Sequence, residues 1–88
     1  MLVLRKGVVH AETDYGIGLL DERSGRYWTL NPIGALVLRL LLDGGSTAQA
    51  ADAVVNSYEV DVTTANRDIQ TLLAQLDTAG LIATDSAR

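Results

Sequence analysis

The sequence contains no cysteine, a single histidine and no apolar stretch approaching the length of a bilayer span. Without cysteine there is no disulfide framework, thiolate nucleophile or Cys-ligated zinc. The apolar run near Ala35 to Leu42 falls well short of the roughly 20 residues that cross a membrane. The N-terminus lacks the basic-then-apolar layout of a secretory signal, so the cytoplasm is the expected compartment. With 48% hydrophobic and 20% charged residues, the chain is too apolar to be disordered. Its 88 residues suffice for one domain, residues 1–88, and leave little surplus for a deep catalytic cleft. A partner surface is therefore expected rather than an active site. The formal net charge of −4 lies wholly in the second half: Arg67 and Arg88 stand there against Asp52, Glu59, Asp61, Asp68, Asp77 and Asp85.

From Gly7 to Leu30 short β-prone runs alternate with turn residues. Val8 to Thr13, Ile17 to Leu20 and Arg26 to Leu30 read as three strands. The connections Asp14-Tyr15-Gly16 and Glu22-Arg23-Ser24-Gly25 are short and contain glycine, which predicts an antiparallel meander. Met1 to Lys6 either extends the first strand or frays. The period changes at Asn31-Pro32, where Asn suits an N-cap and Pro the first helical position. The helix that starts there runs to about Leu42 and is apolar nearly all round, with Arg39 its only charge, which makes it the central, most buried helix. Ser46-Thr47-Ala48-Gln49 fits a capping box, followed by Ala51, Val54, Val55 and Tyr58 on one face of a second helix. Asp61 is the expected N-cap of a longer third helix with an apolar stripe of Val62, Ala65, Ile69, Leu72, Leu73, Leu76 and Ala79, closed by Gly80. Leu81-Ile82-Ala83 reads as an apolar extension back onto the core, and Thr84 to Arg88 as a frayed tail. The order β-β-β-α-α-α is an α+β fold with a winged helix-turn-helix-like arrangement.

Little in this pattern supports catalysis. His10 is a lone strand histidine without a nucleophilic partner. Asp21-Glu22 is an adjacent acidic pair whose side chains point to opposite faces; it reads as part of a turn rather than an acid/base dyad. No His/Cys/carboxylate cluster has metal-ligand spacing, and Gly16-Ile17-Gly18 precedes a strand rather than a helix, so it is no phosphate loop. Neither metal nor cofactor is expected. Nucleic-acid binding fits the helix-turn-helix outline but not its residues. The third helix carries one cation, Arg67, against Asp61, Asp68 and Asp77, whereas duplex binding takes several Lys or Arg.

The third strand is more informative. As the last strand of a meander it is a candidate edge, yet it carries Tyr27-Trp28-Thr29-Leu30 rather than the charge, proline or bulge that usually blunts an edge. An apolar edge beside an acidic, Leu-rich helix suits β-augmentation by an extended peptide. The plainer alternative makes Trp28 and Leu30 core and leaves Tyr27 and Thr29 exposed.

The stretch Leu20-Asp21-Glu22-Arg23-Ser24-Gly25-Arg26-Tyr27-Trp28-Thr29-Leu30-Asn31-Pro32-Ile33-Gly34-Ala35 resembles the signature of the PqqD family. Asp68, Leu72-Leu73, Leu76 and Ala79-Gly80-Leu81-Ile82 are similar to that family's third helix. The likeness runs from about Val8 to Ile82, and Arg26 to Pro32 is its specific part. Within the family the chain is most like the stand-alone chaperones of lasso peptide biosynthesis, recognition elements for ribosomally made (RiPP) precursor peptides. The resemblance implies a non-catalytic module that binds the leader region of a precursor as a fourth strand and delivers it to a separate leader peptidase. It places the strand contact on Arg26, Tyr27, Trp28, Thr29 and Leu30, and the cleft wall on Asp68, Ile69, Leu72, Leu73 and Leu76, some of which must be core. On a helical wheel centred on Ile69, Asp68, Leu72 and Gln75 lie on one flank and Asn66, Leu73 and Gln70 on the other. The Asp68 flank is favoured, because its carboxylate suits a backbone N–H or a basic leader residue. Two alternatives stay open: a leader-binding partner of a radical-type modifying enzyme, and an acidic winged-helix protein with a regulatory or DNA-related role. Since the same edge is able to pair with another copy, a monomer or weak homodimer is expected.

Overall fold

The computed structural model describes residues 2–84. The element order is β1 (Leu2–Leu4), β2 (Val8–Thr13), β3 (Gly16–Asp21), β4 (Arg26–Leu30), α1 (Pro32–Leu42), α2 (Thr47–Ser57), α3 (Val62–Thr78) and β5 (Ile82–Thr84). Strands β2, β3 and β4 form an antiparallel meander in that spatial order, and the three helices follow it, giving the expected α+β fold. In the register, Leu19 lies opposite His10 and Trp28, and Ile17 lies opposite Glu12 and Leu30. Side chains alternate faces along a strand, so Val8, Ile17, Leu19, Trp28 and Leu30 share one face and pack in a common core with Ala35 and Leu38 of α1.

Both chain ends depart from expectation. Leu2–Leu4 neither extends the meander nor frays; it pairs antiparallel with Ile82–Thr84 in a separate two-stranded sheet, Leu2 opposite Thr84 and Leu4 opposite Ile82. Thr84, expected in a tail, is therefore part of a strand, and residues 85–88 of that expected tail lie outside the described residues. The physical reason is burial: Leu81 and Ile82 are buried in the core, and Leu2 and Leu4 pack against the same cluster. Asp21, expected in a turn, is instead the last residue of β3 and buried.

Helix α1 is apolar nearly all round, Arg39 excepted, because it has two faces to cover. Ala35 and Leu38 join the sheet core, whereas Val37 and Leu41 join a second cluster with Ala50, Ala51 and Val54 of α2 and Ala65 and Ile69 of α3. Local signals set the helix ends. The Asn31 side chain accepts the Gly34 N–H at 2.8 Å. Ser46 and Gln49 exchange the two bonds of a capping box at 3.0 and 2.8 Å, and Asp61 accepts the Thr64 N–H at 2.7 Å. Helix α3 closes with the Gly80 N–H donating to the Asp77 carbonyl and Leu81 N–H to the Leu76 carbonyl, while Leu76 and Leu81 bury together. That is the Schellman arrangement with its accompanying apolar contact. Two members of the expected apolar stripes lie outside the core: Val62, in the first turn of α3, is 53% exposed, and Tyr58 caps the end of α2 half-buried.

Asp21 is held by Arg23. The guanidinium meets both carboxylate oxygens at 3.0 and 3.1 Å and also donates to the Gly80 carbonyl at 3.3 Å, tying the β3–β4 hairpin to the end of α3. The Arg23 side chain, assisted by its own backbone N–H, holds the Asp21 carboxyl below its ordinary value of 3.8 despite the opposing effect of burial. A depressed native value means that the stabilisation is complete above the unfolded value and is lost as pH falls through the native one. Asp21→Asn is expected to flatten this acid limb, with urea midpoints across acidic pH as the measurement; an identical limb in the variant would place the acid sensitivity elsewhere.

Candidate functional site

Among the described residues strand β4 hydrogen-bonds to β3 on one side only, so it is an edge of the meander. Alternate residues of an antiparallel edge turn their N–H and C=O groups away from the sheet, ready for another strand. Its side chains divide by face. Trp28 and Leu30 are half-buried against the core, while Tyr27 and Thr29 are exposed on the opposite face. The Tyr27 ring lies over Gly18, where an added Cβ would collide with the phenol hydroxyl and sit 2.9 Å from Cζ. Tyr27 and Thr29 thus point away from the face on which Trp28 and Leu30 meet the core. The two readings of Trp28 are compatible: one part of the indole packs on the core and another is open, with the Arg26 guanidinium 5.2 Å from its ring centroid.

Between β4 and α3 runs a groove. At one end Arg26 and Trp28 face Thr71, Ala74, Gln75, Thr78 and Ala79 across an open space of about 590 Å³. At the other, Asn31, Ile33, Gly34 and Val37 of the cap and α1 face Asp68, Ile69, Thr71, Leu72 and Gln75 across a more enclosed cavity of about 260 Å³, floored also by Val54 and Ala65. Thr71 and Gln75 line both, which joins them into one groove.

The site residues expected from the sequence separate into four groups, the first being Tyr27 and Thr29, exposed on the outer face of β4. Arg26, Trp28, Asp68, Leu72 and Gln75 line the groove, with Ile69 buried in its floor. Leu30 and Leu76 belong to the sheet core, Leu76 at 3% exposure. Leu73 lies on the other flank of α3, beside Leu2, Gln70, Asp77 and Ile82, away from β4. Thr71 and Thr78 also line the groove, and the signal that points to them is that they continue the Asp68–Gln75 stripe at helical spacing. Asn31, Ile33, Gly34, Val37 and Val54 carry no such signal, since only the packing of α1 and α2 brings them under α3.

Arg26 and Asp68 are the groove's charged lining residues, and among the described residues neither makes an ion pair. No group of His, Cys, Asp or Glu able to hold a metal ion occurs among the described residues, nor does a helix long and apolar enough to cross a membrane. The arrangement offers an extended segment main-chain bonds on one side and an apolar cavity on the other.

Comparison with known proteins yields one family and two similar solved structures. The family "Coenzyme PQQ synthesis protein D (PqqD)" matches residues 17–82. "Lasso peptide synthetase B1 complexed with the leader peptide" is 44% identical with a TM-score of 0.88, covering 94% of this chain and 98% of that one. "TbiB1 in complex with the TbiA(beta) leader peptide" is 29% identical with a TM-score of 0.83, covering 94% of this chain and 96% of that one. No curated protein matches. The family profile spans three-quarters of the chain and includes β4, α1 and α3, which wall the groove, and the chain belongs to the PqqD family.

Proposed function

We propose that this protein is a single-domain, non-catalytic recognition element that binds the leader region of a ribosomally made precursor peptide by adding it as a strand to β4, and that it presents the leader to a separate leader peptidase in lasso peptide biosynthesis. It works in the cytoplasm, where such precursors are translated. The observation that carries the reading is the free edge of β4 facing α3 across a groove with an apolar cavity at one end. Both similar solved structures hold a leader peptide, which supports the same role here.

Magnitudes favour side-chain anchoring over backbone pairing alone. A strand added along the edge gains about four or five hydrogen bonds at roughly 0.5 to 1.5 kcal/mol net each. Ordering a flexible peptide offsets about 2 to 5 kcal/mol of that. An apolar or aromatic leader side chain buried in the cavity contributes roughly 1.5 to 3 kcal/mol more. The lining by Ile33, Val37, Ile69 and Leu72 is suited to such an anchor.

The test is fluorescence anisotropy with a labelled leader from the precursor gene beside this protein's own, a scrambled leader and a DNA duplex. Saturable binding of the authentic leader alone is the expected result, followed by faster leader removal when the pathway's peptidase is added. Binding to DNA alone would return the protein to a regulatory winged-helix role. Leader binding that accelerates a radical-type modifying enzyme and not a peptidase would move it to another pathway.

A further inference from the structure

The groove has a charge polarity that strand addition by itself does not require. Asp68 stands at the Asn31 end and Arg26 at the Thr78 end, and every other lining residue between them is uncharged. Arg26 lies opposite Asp21 in the β3–β4 register, but both Asp21 carboxylate oxygens are bound by Arg23, Asp77 lines the opposite flank of α3, and among the described residues neither Arg26 nor Asp68 makes an ion pair. From Asp68 to Thr78 the helix advances about 15 Å, and an extended strand covers that distance in about four to five residues at roughly 3.4 Å each. Residues four apart on a strand point to the same face. Arg26, Trp28 and Leu30 share the groove-side face of β4, so side chains opposite them in an added strand enter the groove together.

Building on the reading of the groove as a leader site, we propose that Arg26 and Asp68 select the charge pattern and direction of the bound segment. A strand running antiparallel to β4 starts at the Leu30 end. It places a basic residue beside Asp68 and, about four positions later, an acidic residue across from Arg26, with neutral residues between. Antiparallel addition continues the meander and is the slightly stronger pairing; an opposite-charge pair directly across two strands adds to it. The two contacts thus act as a direction check on an otherwise sequence-tolerant backbone interaction. Since both groups are exposed, the contribution is salt-sensitive, and each end is worth about a two- to fivefold change in affinity at low salt.

The experiment is selection from a display library of random peptides long enough to cover β4, run against the wild-type chain, the single variants Asp68→Lys and Arg26→Gln, and the double variant Asp68→Lys/Arg26→Glu. Circular dichroism monitors folding. The expected wild-type pool is enriched in a basic residue followed about four positions later by an acidic one. The double variant should enrich the reverse order, Asp68→Lys should exchange the basic preference for an acidic one at its own end only, and Arg26→Gln should lose the preference at its own end only. Binding pools without charge order, or with the same order for wild type and double variant, would overturn the polarity while leaving the groove a peptide site. Absence of any enriched peptide from any of the four proteins would overturn both. A selected peptide and its charge-swapped counterpart should differ in anisotropy titrations at low salt and converge at high salt; a salt-independent difference also counts against the proposal.

Discussion

Leu72→Asp is expected to weaken leader binding at least tenfold, whereas Leu73→Asp, one position along the same helix, leaves the affinity of the folded fraction unchanged. Leu72 lines the enclosed end of the groove and packs beside Gly34, where an added Cβ would lie 3.8 Å from the leucine methyl. A carboxylate there removes apolar wall and has to be desolvated when an anchor side chain enters. The loss of roughly 1.5 to 3 kcal/mol of apolar burial corresponds to about ten- to a hundredfold in affinity. Leu73 instead contacts the β1–β5 side, so its substitution acts on stability. Arg67→Ala should do neither, because Arg67 is exposed and lines neither part of the groove. Anisotropy titration of the three variants with the labelled leader, each corrected for folded fraction by circular dichroism, is the measurement. Equal losses at Leu72 and Leu73 would show that the groove is not the binding surface.

Gly34→Ala separates binding from stability in the same cavity. Its Cβ would meet only ordinary neighbours, the closest being the Asn31 side-chain oxygen at 3.4 Å, and alanine in a helix is favoured over glycine by roughly 0.8 to 1 kcal/mol. The variant should melt slightly higher yet bind the leader less tightly, since its methyl stands in the cavity wall. An increase in both would mean that the leader does not reach this end.

The largest expected effect on stability is at Gly16. Its φ of 154° lies where side chains are disfavoured, and a Cβ there would collide with the Leu30 carbonyl oxygen and approach Asn31 backbone atoms at 3.0 Å. Neither obstacle is a flexible side chain. Relief would shift the junction between β4 and α1, where Asn31 both caps the helix and lines the groove. Gly16→Ala is therefore expected to cost about 2 to 4 kcal/mol, lowering the thermal midpoint by more than about 10 °C for a domain of this size. Gly25→Ala is the control: Gly25 has a φ of 75° but no atom within 4 Å of the added carbon, so only the left-handed backbone penalty of roughly 1 to 2 kcal/mol applies. Similar midpoints for the two variants would mean that the approach of β3 to Leu30 is not tight in solution.

Features written in contiguous residues are legible without the fold: the three strands of the meander, the caps at Asn31, Ser46 and Asp61, the stop at Gly80, and the family signature around Arg26 to Pro32. Turn chemistry, capping and side-chain period act over a few residues, so they can be read without knowing the fold. The pairing of Leu2–Leu4 with Ile82–Thr84 joins segments nearly a chain length apart, and no local pattern distinguishes such a strand from a loose apolar end. The same holds for the groove. Helical spacing puts Asp68, Leu72 and Gln75 on one flank, but only the packing of α1 against both sheet and helices decides that Asp68 and Leu72 face the Asn31 cap and α1, that Gln75 also faces Arg26 and Trp28 of β4, and that Leu73 faces β1 and β5. The cavity's floor comes from α1, α2 and α3 together, because a concave surface is a property of how elements meet rather than of any one of them.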